Sequence, residues 1–279
     1  MTRKGNWQLR DSERVVTGNA ALLGRNHLLV GLTRMRNEAL LLPDTLDYLS
    51  GQVDAIVAYD DASTDETVEI LRAHPKVALI VANQAWEQDV AARKLAEGRH
   101  RGLLLDMARA ELPHDWMLCF DPDERVTSNL RDFAGGLCDE ACDAVRVKLF
   151  DAYMTPDDHA PYTSDCRLLD FRRFYGPEQR DILILLRNRP EIVWAEGDGR
   201  NSPRGMKNVK TALYCQHYGK SLSVDHWEET CDYYIRYFPY ETYGKKWQER
   251  KGKAIHAVSD FGRPLYEWGD ALFANAVPM

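Results

Sequence analysis

The chain has 279 residues, 44% of them hydrophobic and 28% charged, with a formal net charge of -7. That length holds an ample core for one large α/β domain, and the composition excludes disordered and fibrous classes. The acidic balance gives no general attraction to polyphosphate, and the basic stretches are short (Arg99-His100-Arg101 and Lys245-Lys246), so nucleic acid is not an expected partner.

Residues 1–27 read as an N-terminal extension. From about residue 28, short β-rich runs alternate with helical patterns, the signature of βαβ units and a parallel sheet. Leu28 to Thr33 reads as the first strand. Glu38 to Ser50 carries Leu41, Leu42, Leu46 and Leu49 at helical spacing, and Ala55 to Tyr59 forms a second strand with Asp60 and Asp61 at its end. Ser63 or Thr64 is positioned to cap a helix through Arg72, with Asp65 and Glu66 in its first turn. Val77 to Val81 makes a third strand, Val90 to Ala110 a long helix, and Trp116 to Phe120 a fourth strand that runs into Asp121. Beyond residue 143 the alternation fades. Ala144 to Phe150, Ile182 to Leu186, Ile192 to Trp194 and Thr211 to Cys215 are strand candidates, and 151–180 reads as loop-rich. From Val224 the chain is rich in Trp and Tyr at partly helical spacing. The expected organisation is one domain over 28–223, in two halves (28–130 and 131–223), followed by a helical segment over 224–279.

None of the six cysteines forms a C-x-x-C pair, and Cys138 and Cys142 are spaced as neighbours on one helix face. A reducing compartment is expected. No run approaches the roughly 20 apolar residues of a membrane span, and the first residues lack the apolar stretch of a leader, so the expected location is the cytoplasm.

Two acid clusters, Asp60-Asp61 and Asp121-Pro122-Asp123-Glu124, fall at the carboxyl ends of strands in one sheet, where open α/β folds bind ligands. In extended geometry Asp121 and Asp123 face the same side, within reach of one cation. Hard oxygen ligands of this kind suit Mn²⁺ or Mg²⁺, which retain open positions for phosphate oxygens. A solvated acidic turn is the bland alternative for a lone D-P-D-E, and the second cluster weighs against it.

At this point the sequence resembles a known family. TRMRNEA (33–39), YDDASTDET (59–67) and FDPDERV (120–126) are similar to three successive signatures of the family 2 glycosyltransferases, over roughly residues 28–130. RLLDFRRF (167–174) and YCQHYGKSL (214–222) resemble later segments of the bacterial branch that includes lipopolysaccharide-core transferases. The resemblance implies a GT-A fold, a Rossmann-like mixed sheet flanked by helices. It implies a metal-dependent, inverting transfer of a sugar from a nucleotide diphosphate sugar, UDP-sugar favoured, to a saccharide or glycolipid hydroxyl. Peripheral association with the inner face of the membrane belongs to the same expectation.

Carried over residue by residue, the resemblance implies that Thr33, Arg34, Asn37 and Glu38 line the nucleotide pocket. Asp60 faces the pyrimidine base with Asp61 close by, and Arg101 contacts the nucleotide. Asp121 and Asp123 are implied to hold the diphosphate through the metal, with His217 as third metal ligand and Tyr218 and Lys220 beside the diphosphate. Helix capping by the first acids and an exposed position for Arg101 are the structural alternatives.

Inverting transfer needs a base for the acceptor hydroxyl. Glu196 and Asp198, in WAEGDGRNSP (194–203), stand where similar enzymes carry a His-Glu pair, although Ala195 replaces the histidine; Asp165 is a third candidate. For the aromatic C-terminal segment, core packing leads over an acceptor platform and a membrane or partner interface. Two other function classes stay open: a sugar nucleotidyltransferase, against which the absence of a glycine-rich first loop counts, and a non-catalytic carbohydrate- or nucleotide-binding module.

Overall fold

The computed structural model describes residues 7–137 and 141–279; Cys138 lies outside the described residues. Strands β1 (Glu13–Thr17), β2 (His27–Met35), β3 (Ala55–Asp61), β4 (Val77–Asn83), β5 (His114–Phe120) and β6 (Glu124–Val126) belong to the first half of the chain. Helices α1 (Leu42–Ser50), α2 (Thr67–Ala73) and α3 (Val90–Glu111) connect them, and α4 (Leu130–Gly136) follows β6. The second half contributes β7 (Ala144–Ala152), β8 (Phe174–Arg187) and β9 (Val209–His217), then α5 (Val224–Tyr237), α6 (Lys245–Arg250), β10 (Tyr266–Glu267), α7 (Asp270–Ala274) and β11 (Val277–Pro278).

Among the described residues, all the strands join one sheet, ordered β1-β4-β3-β2-β5-β8-β7-β9-β6, with β10 and β11 paired to β8. The β4-β3-β2-β5 core is parallel, and β8 runs antiparallel to both β5 and β7. Every residue of β3 and β4 is buried, because helices cover both faces of the parallel core and continuous apolar runs satisfy both. The chain leaves β2 toward β3 and β4, then returns to the opposite side of β2 as β5. The carboxyl ends of β2 and β5, in register at Thr33 and Phe120, therefore flank a topological switch point.

Residues 13–17 join the sheet as its edge strand, antiparallel to β4. Glu13 fixes that strand: its carboxylate accepts from both terminal nitrogens of Arg99 (2.5 and 2.7 Å), from Tyr59 Oη (2.6 Å) and from the Arg10 amide (2.8 Å). His100 stacks on Tyr59 at 3.7 Å, and Arg99, His100 and Arg101 are all buried, so this basic triplet presents no surface patch.

Several local expectations shift for physical reasons. The first helix begins at Leu42, after a turn, with Pro43 in its first turn where a missing N–H costs nothing. Residues 192–194 make an isolated bridge, Val193 to Arg204, rather than a strand. The strand expected over 182–186 starts eight residues earlier, at Phe174, inside the segment read as loop-rich; its Gln179-Arg180-Asp181 stretch is polar because it leaves the covered core while staying paired to β7. No helix among the described residues is long and apolar enough to cross a membrane.

Candidate functional site

A cavity of about 760 Å³ opens at the switch point. Its walls carry Arg34 to Glu38 from the end of β2, Asp61 from β3, Asp121 to Glu124 from the β5–β6 turn, Asp151 from β7 and His217 from β9. Helix α5 closes the far side with His226, Glu229, Thr230, Tyr233 and Tyr234.

The loops after β2 and β3 are bound to each other by side chain to backbone hydrogen bonds. Ser63 Oγ accepts from the Asn37 amide (2.8 Å), Asn37 Oδ1 from the Thr64 amide (2.8 Å), Thr67 Oγ1 from the Glu38 amide (2.8 Å) and Asp65 Oδ2 from the Ala39 amide (3.1 Å). Ser63 and Thr64 are thus engaged with the first loop instead of capping α2, which starts at Thr67 without a side-chain cap. Asn37 (φ 56°) and Ala62 (φ 58°) sit in the left-handed region, where a non-glycine residue persists only when its surroundings hold it.

Asp61 lines the cavity, 3.7 Å from Arg34, and accepts from Asn83 Nδ2 (3.3 Å). Asp60 is 2% exposed; Oδ2 accepts from the Ser63 amide, Oδ1 has no partner, and burial pushes its carboxyl above the ordinary range. Thr33 is fully buried, with its hydroxyl unpartnered. Neither Asp60 nor Thr33 is part of the cavity lining. The Trp86 ring carries the guanidinium groups of Arg36 (4.1 Å) and Arg93 (4.8 Å) and meets Tyr237 of α5 edge-on at 4.6 Å.

Asp121-Pro122-Asp123 is a tight turn, closed by the Glu124 amide donating to the Asp121 carbonyl (3.2 Å), and both aspartates line the cavity. Their partners differ. Asp121 Oδ1 accepts from Arg101 (3.3 Å) and Oδ2 from Arg200 (3.2 Å); these arginines, with Arg34, outweigh burial and hold Asp121 below the ordinary carboxylate range. Arg101 is buried and ion-paired, neither an exposed helix residue nor a cavity-lining one.

Asp123 faces His217, whose Nε2 lies 3.3 Å from its Oδ2. The sheet builds this contact: β9 sits between β7 and β6, with His217 in register with Asp151 on one side and Glu124 on the other. His217 Nδ1 is 2.5 Å from Asp151 Oδ1, and Asp151 Oδ2 pairs with Lys220 (2.6 Å). Burial disfavours the imidazolium, yet Asp123 and Asp151 outweigh it and raise His217 to about 10. Gly219 stands against this pair; a Cβ there would lie 2.5 Å from Asp123 Oδ2 and 3.1 Å from His217 Nε2. An oxygen donor and an imidazole beside an open cradle, with a carboxylate behind the imidazole, fit a divalent cation. Among the described residues no three His, Cys, Asp or Glu side chains converge on one point, because Asp121 is committed to its arginines.

Lys220 lines the cavity, whereas Tyr218 is fully buried, bonded to Tyr175 Oη (3.0 Å) and Gln216 (2.8 Å). Glu196 is exposed and outside the cavity lining; Asp198 closes its own turn by accepting from the Ala195 amide (2.8 Å) and Arg204 (3.3 Å); Asp165 is exposed beside Thr163. Sequence reasoning missed Arg200 and Asp151. Arg200 lies in the same G-D-G-R loop as the acid candidates and no local signal marks it; Asp151 ends a strand as Asp61 does, and that signal was available.

A Rossmann-like parallel half with acidic strand ends at its switch point, completed by an antiparallel half that returns a histidine to the same cavity, is the GT-A architecture. The chain belongs to glycosyl transferase family 2, whose family model matches residues 33–183, more than half of the chain. Uncharacterised proteins of Mycobacterium tuberculosis and Mycobacterium bovis are each 33% identical over 102 residues, 37% of this chain and 25% of theirs. The match thus spans a quarter of those relatives' length. Among solved structures, Staphylococcus aureus TarS aligns with a TM-score of 0.43 at 15% identity, over 79% of this chain and 42% of its own. Yersinia pseudotuberculosis HddC aligns at 0.36 and 11% identity, over 74% of this chain and 98% of its own, and at these values neither bears on activity.

Proposed function

We propose that the chain transfers a sugar with inversion from a nucleotide diphosphate sugar, UDP-sugar favoured, to a hydroxyl of a saccharide or glycolipid. The observation that carries this reading is the Asp123–His217–Asp151 line of contacts beside the Gly219 cradle, on the wall of a switch-point cavity in a family 2 chain. Asp123 and His217 would hold Mn²⁺ or Mg²⁺, with Asp121 joining on exchange of an arginine contact. When bound, the ion neutralises charge on the departing diphosphate. Arg34 and Lys220 add positive charge on the same wall. Asp61 lines the cavity and Asp60 lies outside its lining, so in this reading the base reaches past Asp61 to the unpartnered Oδ1 of Asp60, where a uracil imide N–H would relieve a burial cost on the order of 1–3 kcal/mol. A bacterial lipopolysaccharide-core acceptor, cytoplasmic location and peripheral membrane contact remain part of the proposal.

The proton acceptor in this reading is a carboxylate on the acceptor side. Glu229, on α5, lines the cavity, its side chain in no hydrogen bond or ion pair among the described residues and with His226 as its electrostatic neighbour, and we assign it the role. Kinetics of Glu229→Gln beside Glu196→Gln and Asp198→Asn decide the assignment. A loss of about 10²–10⁴ in kcat with unchanged donor affinity marks the base; such a loss at Glu196 or Asp198 instead returns the role to the 194–203 turn. The reading as a whole is tested by mass spectrometry with a panel of UDP-, GDP- and dTDP-sugars and Mn²⁺. Turnover that persists in Asp123→Ala or in EDTA refutes it, and pyrophosphate release from a nucleoside triphosphate plus a sugar phosphate would support a nucleotidyltransferase in its place.

A further inference from the structure

A second cavity, about 600 Å³, adjoins the first and shares Lys246, Arg250 and Phe261 with it. It is walled by α6 and the segment 253–261, and its ionisable lining comprises Lys246, Arg250, Lys253 and His256 against Glu249 and Asp260. Of its two acids, Asp260, with its side chain 5% exposed, is committed to Arg250 (2.5 Å) and Lys220 (2.7 Å), which leaves Glu249 as the one carboxylate facing Lys246 and Lys253. Lys246 and Lys253 have no carboxylate partner among the described residues. Burial and the neighbouring Arg250 and Lys220 lower the Lys246 ammonium below its ordinary value, as expected where positive charge is in surplus. Ile255, Val258 and Phe261, 40%, 45% and 54% exposed, form an apolar rim beside these cations.

We propose that this second cavity is an acceptor subsite for a phosphorylated saccharide, whose phosphate is held by Lys246, Arg250 and Lys253 while its reacting sugar enters the donor cavity past the shared residues. The proposal deepens the glycosyl-transfer reading and rests on it for the word acceptor; the anion site itself does not. Arg250 has a fixed position, because Asp260 holds its guanidinium and a cation–π contact with Trp247 (5.2 Å) holds its other side. Lys246 and Lys253 bring unpaired ammonium groups, so a phosphate arriving there displaces no internal salt bridge. The same phosphate could belong to a free sugar phosphate or to a lipid-linked one, and the apolar rim provides for the second source.

The test is calorimetric titration of the full chain with glucose 6-phosphate, with neutral glucose as control and UDP plus Mn²⁺ as an independent titrant. Glucose 6-phosphate is expected to bind in competition with inorganic phosphate and to weaken about 10-fold in Lys253→Glu, the scale of one lost charged hydrogen bond. UDP affinity is expected to stay unchanged in that variant, since Lys253 is exposed and lies outside the donor cavity. Glucose 6-phosphate binding no tighter than glucose, or unaffected by both Lys253→Glu and Lys246→Gln/Lys253→Gln, overturns the proposal. Failure of UDP binding with an intact phosphate titration overturns the uridine preference of the donor reading and leaves the anion site standing. Co-sedimentation separates the two sources: binding to phosphatidic acid vesicles but not phosphatidylcholine vesicles, lost in Phe261→Ser, supports a lipid-linked phosphate, and binding of glucose 6-phosphate alone supports a free one.

Discussion

Arg200→Met is the perturbation whose cost the structure states most fully. Arg200 donates to the carbonyls of Leu183 (3.0 Å) and Cys119 (2.7 Å), to Asp121 (3.2 Å) and to Glu124 (2.6 Å), with its side chain 7% exposed. Methionine fills similar volume and supplies none of these bonds. Asp121 keeps Arg101, but Glu124, with its side chain 6% exposed, loses its cation and retains only the Asp121 amide (3.2 Å). Orphaning one partner of a buried ion pair costs about 3–5 kcal/mol. For a chain of this length that lowers Tm by roughly 6–10 °C. Urea titration and scanning calorimetry measure both quantities. Burial already pushes the Glu124 carboxyl upward, so Glu124→Gln in the Arg200→Met background removes the uncompensated charge and should recover about half of the loss. A single variant within about 1 kcal/mol of wild type, below the cost of a lost buried pair, or a double variant no more stable than the single, would refute the reasoning.

Further outcomes are expected at the cavity and at the sheet edge. Gly219→Ala pushes a methyl against Asp123 and His217; Mn²⁺ affinity measured by paramagnetic relaxation should fall by at least about 10-fold, the scale of a disturbed ligand shell, while urea stability changes little. Because Asp123 and Asp151 raise His217 to about 10, an ion binding at Nε2 must displace a proton at neutral pH, so Mn²⁺ affinity should rise with pH from 6 to 9, with proton release seen as buffer-dependent heat. Glu13 is depressed: burial opposes ionisation, but the Arg99, Arg10 and Tyr59 contacts outweigh it. Its contribution to stability is therefore full above the ordinary glutamate range and lost as pH falls through the depressed folded value. Glu13→Gln should be destabilised at pH 7 and should approach wild type in acid, as read by urea midpoints across pH. Trp86→Ala removes the ring that Arg36 and Arg93, both on the cavity wall, pack against and the contact to Tyr237; UDP affinity by calorimetry should weaken, and unchanged affinity would separate this aromatic from the nucleotide.

The parallel core was legible because its strands are buried on both faces and show as unbroken apolar runs between acidic or glycine-marked ends. Asp61, Asp121, Asp123 and His217 lie on one cavity for the same reason: each ends or follows a strand, and strand ends of one sheet must converge. What sequence could not expose is pairing across long separations. Arg200 meets Asp121 and Glu124 nearly eighty positions away, and Glu13 meets Arg99 across 86. The long β8 was hidden because its pairing with β7 keeps it in the sheet through Gln179, Arg180 and Asp181, where its side chains turn polar. The aromatic segment was read mainly as packing; Trp227 is fully buried, while Tyr233, Tyr234 and Trp247 also form cavity wall.

The bonds between the 36–39 loop and residues 63–67 make the two signatures one mechanical part. Ser63, Thr64, Asp65 and Thr67 act as a last that shapes the neighbouring loop. Change within Y-D-D-A-S-T-D-E-T is then transmitted to Asn37 and Glu38 across nearly thirty positions of chain. A graft of T-R-M-R-N-E-A into another scaffold would arrive without its mould, so the transferable unit of this pocket is the pair of loops with the strands β2 and β3 that keep them in step.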